Sequence, residues 1–341
     1  MIKKRNLDPS LVQWIMQQTG LGPGVGELHW VAPASSSTSQ FRTQLQRWGV
    51  EQNYKIHTDP VEAEKAMVAN RNDVMLIMPG NYTVTDTAAA PMTWSKDYTH
   101  MIGLGPPQKH EYAGRGVVIR TINTTGVFAM INTGDLCQFH NIAFQQWGQA
   151  TAALTAFREE GHMNRFNGCH FFGQIRSNTI ALTTSSSFEV NAAVTRAGNA
   201  DIFTDCVIGG SGGAKRTGAN GTLLFATGGT IGAGCDMQFR NTQFMSWAED
   251  TDPCAILVAG NYAADRLLLF EGCTFYNFRE NHNTTMPAYV VRDACNTTHD
   301  IVFKDSAHHG FTAWTNNQTH CFVTMPAVDE SGGEAVAADA A

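Results

Sequence analysis

The stretch "LLLFEGCTFYNF", residues 267–278, decides the fold because its spacing recurs along the chain. Phe270 is followed by Gly272 at +2, Cys273 at +3 and Phe275 at +5. Aligned on the first aromatic, six copies begin at Phe139, Phe166, Phe203, Phe239, Phe270 and Phe303. Position +3 holds Ile142, Cys169, Cys206, Thr242, Cys273 and Ser306, and position +5 holds Phe144, Phe171, Ile208, Phe244, Phe275 and His308. Position +2 holds Asn141, Gly168, Asp205, Asn241, Gly272 and Asp305, drawn only from the types that best tolerate a left-handed backbone. Alternation at +3 and +5 is the period of a strand with one face inward. Each copy reads as strand, sharp corner, strand, with the first Phe and the +3 and +5 residues sharing one interior.

Successive copies start 27, 37, 36, 31 and 33 residues apart, so the corners are constant while the connections vary. A solenoid behaves this way: each coil pairs with the next at about 4.8 Å, and added length leaves as loops. Propeller blades need about 40–45 residues, which the 27-residue interval excludes. The Leu scaffold of leucine-rich repeats is absent. Cys169, Cys206 and Cys273 then act as small polarizable fillers beside the corners.

The 341 residues are 43% apolar and only 16% charged, with 32 Gly, which suits a sheet-rich body with many tight turns. A net charge of −7 gives no electrostatic footprint for nucleic acid. No run approaches the roughly 18–20 apolar residues of a membrane span. Asp8, Pro9, Gln13, Gln17 and Gln18 interrupt any signal core in the first twenty residues, so Sec export is not expected. The eight cysteines form no CxxC pair, against a zinc knuckle or redox site.

Three helices are expected in the first seventy residues. One follows Asp8-Pro9, one follows Ser39, and one opens at Asp59-Pro60 with Glu62 completing a capping box. The third is placed to cover the open end of the solenoid. "GGSGGAKRTGANG" (209–221) lacks the order of a P-loop and reads as a flexible excursion, and "DESGGEAVAADAA" reads as a flexible tail. The expected organisation is an N-terminal docking region over 1–57, coils over 58–312 and a C-terminal extension over 313–341.

Helix, "DVMLIMPGNYTV", "MIGLG" and repeated F-x-N/G-x-C-x-F together resemble the right-handed parallel β-helix of the pectate-lyase-like superfamily, over roughly residues 58–312. The resemblance implies an all-β solenoid capped by a helix. "DPSLVQWIMQQTGLGPGVGELHWVAP" with "ANRNDVMLIMPGNYTV" further resembles β-helix proteins encoded among the virion genes of tailed bacteriophages. That implies a virion location, a homotrimer, and a major capsid protein or another virion structural protein as partner.

Many members of the superfamily cleave acidic polysaccharides. Galacturonan hydrolases of this fold carry Asn-Thr-Asp, Asp-Asp, His-Gly and Arg-Ile-Lys elements. Here Asn132-Thr133-Gly134-Asp135 is interrupted by glycine, His309-Gly310 stands alone, and the other two are missing. The Arg-x-Pro-x-x-Arg pattern of the lyases is also missing. Glu159-Glu160 and Glu249-Asp250-Thr251-Asp252 remain as candidate carboxylate pairs for acid–base cleavage, with hydrated loops as the plainer reading. Asp205 and Asp305 hold corners. His308, at an inward +5 position, reads as a core histidine, and His282, His299 and His309 lack helical metal-pair spacing. No catalytic, cofactor or metal site is expected.

Beyond the +5 strand, Trp147, Trp247, Phe278 and Phe311 occupy position +8. They could close over the interior, form a protomer interface, or stack on glycans. The sequence thus points to a non-enzymatic virion protein, a capsid-surface decoration or stabilising protein anchored by its N-terminal region. The alternative is a tailspike-type polysaccharide depolymerase or a glycan-binding receptor protein.

Overall fold

The computed structural model describes residues 26–32, 43, 55–84, 92–105, 116–121, 127–148, 154–175, 180–191, 193–210, 213–226, 234–259, 266–278, 285–293, 299–317, 319–325 and 335–337. Three sheets run along the described chain, one of twelve strands and two of eight. Each coil gives one strand to each sheet. One coil, for example, consists of Gln138–His140 in sheet 1, Ile142–Gln146 in sheet 2 and Thr155–Glu159 in sheet 3; the next consists of Arg165–Asn167, His170–Phe172 and Ser186–Val190. Pairing between coils is parallel throughout.

The six phenylalanines that begin the copies stand in direct register in sheet 1. Their rings stack at 5.0, 4.5, 4.5, 4.8 and 5.0 Å from Phe139 to Phe303, the rung spacing of paired strands. All six are buried. The +5 residues form a second column in sheet 2, with Phe144 on Phe171 and Phe244 on Phe275. Phe157 and Phe188 continue a third column in sheet 3 that starts with Met92 and Met130, and they meet the other two columns edge-on, at 5.5 Å from Phe157 to Phe166 and 4.8 Å from Phe188 to Phe171. Edge-to-face rings between columns and offset stacks along them are the two favourable aromatic geometries.

The +2 corner is left-handed in every copy, with φ of 56°, 61°, 53°, 49°, 63° and 51° from Asn141 to Asp305. Its amide still continues the ladder: Asn141 N donates to Asn167 O at 2.9 Å and Asp305 N to Thr324 O at 3.0 Å. The corner therefore turns the chain without leaving a buried donor unpaired. Beside it, the +3 side chain does more than fill space. Cys169 Sγ lies 3.3 Å from Phe139 O, Cys273 Sγ 3.3 Å from Phe239 O, and Ser306 Oγ donates to Phe270 O at 3.0 Å. Thiols at Cys169, Cys206 and Cys273 and the Ser306 hydroxyl share this column because each is a small donor to a carbonyl of the preceding coil, whereas Thr242 Oγ1 donates to Arg240 O of its own coil at 3.2 Å.

The helix Pro60–Ala66 (α1) caps the first coil. Asp59 accepts from Val61 N at 2.7 Å, Pro60 fills the first position, and Ala63 and Met67 enter the main core. At the other end, Lys96 Nζ donates to the carbonyls of Glu64, Lys65 (2.9 Å) and Met67 (2.7 Å), a cation on the helix's exposed acceptors. The two helices expected before residue 50 lie, apart from Thr43, outside the described residues.

Sheet 1 extends past both ends of 58–312. Leu28–Val31 pairs in parallel with Val74–Ile77, and Ile56–His57 joins beyond it, so part of the N-terminal region adds to the solenoid. Cys321–Met325 adds a further strand after the last coil, against which Ala335–Ala337 pairs antiparallel. These three tail residues are a strand where a flexible segment is expected, because an open sheet edge offers unpaired backbone groups to any nearby chain.

Candidate interaction face

Alternation decides which side chains reach solvent on sheet 2. In Gln243–Trp247 and Thr274–Phe278, Phe244 and Phe275 point inward. Met245, Trp247, Tyr276 and Phe278 therefore share the outer face. Register places Trp247 beside Phe278 and aligns Met245, Tyr276 and His309 across three coils. Tyr276 and Phe278 are 42% and 38% exposed, their rings 6.3 Å apart, and Tyr276 lies 6.1 Å from the His309 ring. Asn277 fixes the strand ends beneath them: its Oδ1 accepts from Ala248 N at 2.9 Å and its Nδ2 donates to Ala248 O at 2.8 Å. The result is a small rigid aromatic platform.

The four +8 residues do not form one stripe. Trp247 and Phe278 are neighbours, whereas Trp147 sits three coils away with Nε1 donating to Gln145 at 2.8 Å. Phe311 is buried, its ring 6.4 Å from His308. It turns inward because the short strand Ala307–His309 ends before it, so period-two counting no longer applies. Met245, Tyr276 and His309 are the residues of this face that the +8 count missed; alternation from Phe244, Phe275 and His308 finds all three.

The acid candidates are separated by the fold. Glu159 ends a sheet 3 strand and points into the solenoid, wholly buried. Its Oε1 accepts from Asn132 Nδ2 and Gly161 N, both at 2.7 Å. Glu160, on the other face, accepts from Asn191 Nδ2 at 2.7 Å and lies 3.8 Å from Arg158. The two are not a pair in a hydrated loop, since adjacent residues at a strand end face opposite ways. Instead Glu159 and the equally buried Asp201 share Asn164, which donates to both; burial pushes both carboxyls up, and the charge of Asp201 raises Glu159 further. Glu159 Oε2 and Asp201 Oδ2 have no hydrogen-bond partner among the described residues.

In the other acidic run, Glu249 pairs with Lys215 at 2.9 Å, Asp252 lies 3.4 Å from Arg292, and Asp250 Oδ1 accepts from Thr251 N at 2.6 Å. Asp135 of the interrupted Asn-Thr-Gly-Asp stretch sits 2.7 Å from His162 Nδ1, while Asn132 turns inward to Glu159. Among the described residues, no group of three or more His, Cys, Asp or Glu is arranged to hold a metal ion. His308 packs edge-on against Trp314 at 4.7 Å.

The structural cysteines are buried and free. Burial pushes the thiols of Cys169 and Cys273 up to about 12 and raises that of Cys206. Of the 209–221 segment, residues 211–212 lie outside the described residues. Arg216 is buried, forms a parallel bridge with Ala248, and anchors the segment to the body.

No family model matches the chain, and no curated protein matches it. Similar solved structures include the pectin methylesterase PemA from Erwinia chrysanthemi (12% identity, 92% of this chain and 85% of that one, TM-score 0.49). Pectate lyase Pel9A is similar at 12% identity over 85% of this chain and 65% of that one, with a TM-score of 0.46. ORF18 of Geobacillus virus E2 is similar at 13% identity over 78% and 56%, with a TM-score of 0.42. With three parallel sheets wound coil on coil, the assignment follows. The chain is a right-handed parallel β-helix. At these identities the likeness concerns the β-helix alone, a scaffold that hosts many functions.

Proposed function

We propose that this β-helix is a non-enzymatic structural component of a tailed-phage virion. In this reading it decorates or stabilises the capsid surface, is anchored through its N-terminal region, and assembles as a homotrimer. The platform of Trp247, Tyr276 and Phe278 is its contact with a neighbouring copy. The observation that carries this reading is that rigid, partly exposed platform on adjacent coils, since aromatic anchors dominate protein interfaces. The sequence resemblance of the opening segment to virion proteins supports the location. Glu160, Glu249 and Asp252 each lie against a cation, and Glu159 is out of reach of any substrate.

The same platform favours a second reading, a glycan-binding protein whose rings stack on sugars, with or without cleavage. Sedimentation velocity on the purified chain and on a Trp247→Ala/Phe278→Ala variant separates the two. A trimer that becomes a monomer in the variant supports the interface. An unchanged assembly with lost retention on host-surface polysaccharide supports glycan binding. Release of reducing ends from that polysaccharide by the isolated chain refutes the non-enzymatic reading.

A further inference from the structure

Arg216 carries a charge that the described protein does not balance. The side chain is buried, and no described carboxylate forms an ion pair with it. Its Nη2 donates to Cys254 O at 2.9 Å, and Nη1 to Gln174 Oε1 (3.4 Å), Asn220 O (3.4 Å) and Asn220 Oδ1 (3.3 Å). All of these acceptors are neutral dipoles. Nε has no acceptor among the described residues. Glu249, one residue beyond the bridge partner Ala248, is engaged with Lys215.

Buried acids elsewhere in the molecule have a remedy that this arginine lacks. Glu159 and Asp201 can shed charge by binding a proton as burial raises their affinity for it. Burial pulls Arg216 down only to about 10, so the guanidinium stays protonated at neutral pH. A charge that cannot be discharged and lacks a protein counter-charge is strongly unfavourable in a dry site. Beside it lies a small hollow, with about 10 Å³ of free space, lined by Arg216, Gln174, Ser187, Ser246, Phe172 and Trp247, among others. Its free centre has room for a particle about the size of one water molecule. A sugar acid or a sulfate is too large for that centre.

We propose that this hollow is a monatomic-anion site, holding a chloride-sized ion beside the buried Arg216 side chain. The ion locks residues 213–221 onto sheets 2 and 3, since Arg216 reaches Gln174, Asn220 and Cys254 at once.

Two measurements on the full chain test this. Crystals soaked in sodium bromide should show an anomalous peak in the cavity within contact of Arg216. Thermal unfolding should show a saturable midpoint rise of roughly a few degrees with chloride. Sodium gluconate, a monoanion too bulky to enter, should give no such rise at equal ionic strength. An empty cavity at saturating bromide overturns the proposal, as does an equal saturable rise with gluconate. An Arg216→Met variant that keeps the chloride-dependent rise overturns it as well. Should that variant fail to fold, the bromide peak and the chloride–gluconate comparison on the wild-type chain decide the matter alone.

Discussion

Phe203 is the position at which the stacked-column account is most exposed to test. It is wholly buried, lies between Phe166 and Phe239 at 4.5 Å on each side, and takes Phe188 edge-on at 5.1 Å. Truncating a buried Phe to Ala costs about 3–5 kcal/mol, and each lost ring pair adds about 0.5–1.5 kcal/mol before relaxation. The column cannot collapse to fill the gap, because register with the coils on either side fixes the backbone. The expected loss for Phe203→Ala is therefore near the upper end, about 4–5 kcal/mol. Phe203→Leu keeps most of the volume and should lose about 1–2 kcal/mol. Phe322→Ala is the control: Phe322 pairs in the same sheet but is 41% exposed, and should cost about 0.5 kcal/mol. Urea unfolding followed by far-ultraviolet circular dichroism reads all three, with comparable m-values expected. Should Phe203→Ala unfold within about 1 kcal/mol of Phe322→Ala, the columns would not be what holds the coils together.

Glu159 and Asp201 predict a pH dependence. Their folded affinities for protons are raised, so their contribution is fully present below the unfolded values near 4.5 and 3.8 and is lost as pH rises toward the folded values. Unfolding midpoints at pH 4.5, 6 and 8 should fall less steeply for Glu159→Gln or Asp201→Asn than for wild type; parallel slopes would count against the buried pair. Asp73 runs oppositely: burial works against its charge, but contacts from His29, Arg71, Glu27 N and Val68 N outweigh it and hold its carboxyl far below the usual range, so Asp73→Asn should destabilise most at neutral pH and least in strong acid. At the corner, Asp205→Gly should be nearly neutral and Asp205→Val should cost about 1–2 kcal/mol in the same denaturation assay, since φ there is 53°. Cys169, Cys206 and Cys273 should resist a thiol reagent at pH 8 in the native protein and react on unfolding, read by peptide mapping. Labelling of any of the three without unfolding would contradict their burial.

Sheets 1 and 2 were legible in the sequence because a one-residue corner separates them. From Phe139 to Phe144, and from Phe303 to His308, the offset is five residues in every coil. Sheet 3 follows a variable connection: its inward residues Phe157, Phe188, Leu223, Ile256 and Val291 stand 17 to 22 residues after the first Phe of their coils. A column whose phase drifts that far cannot be aligned by spacing. The corner before sheet 1 was hidden for a different reason. It too is left-handed, at Tyr98, Leu136, Met163, Ala200 and Asp236, with φ between 52° and 58°. Only the last is a residue type that announces such a turn. The inward placement of Glu159 was not legible because its strand follows a variable connection, leaving nothing to mark which of two adjacent glutamates faces inward.

The candidate interaction face was harder to read than the fold, and the geometry explains why. Inward positions answer to a shared requirement, that each ring meet the ring one coil above at 4.5–5.0 Å, so they repeat and become visible. Outward positions answer only to whatever docks there, so nothing obliges successive coils to agree. On sheet 2 the outward column through Met245 runs from Phe172-type bulk to Gly209, Met245, Tyr276 and His309 without a pattern. The aromatic platform is therefore a local departure confined to neighbouring coils, and its meaning has to come from contact chemistry. If the platform meets a neighbouring copy, a single polar substitution at its centre, Tyr276→Lys, should weaken assembly while leaving the coil beneath unchanged. Tyr276 is 42% exposed and Phe275 beside it carries the core contact. Sedimentation paired with thermal unfolding separates those two effects: loss of assembly with an unshifted monomer midpoint is the expected result, and equal loss of both would place Tyr276 in the scaffold.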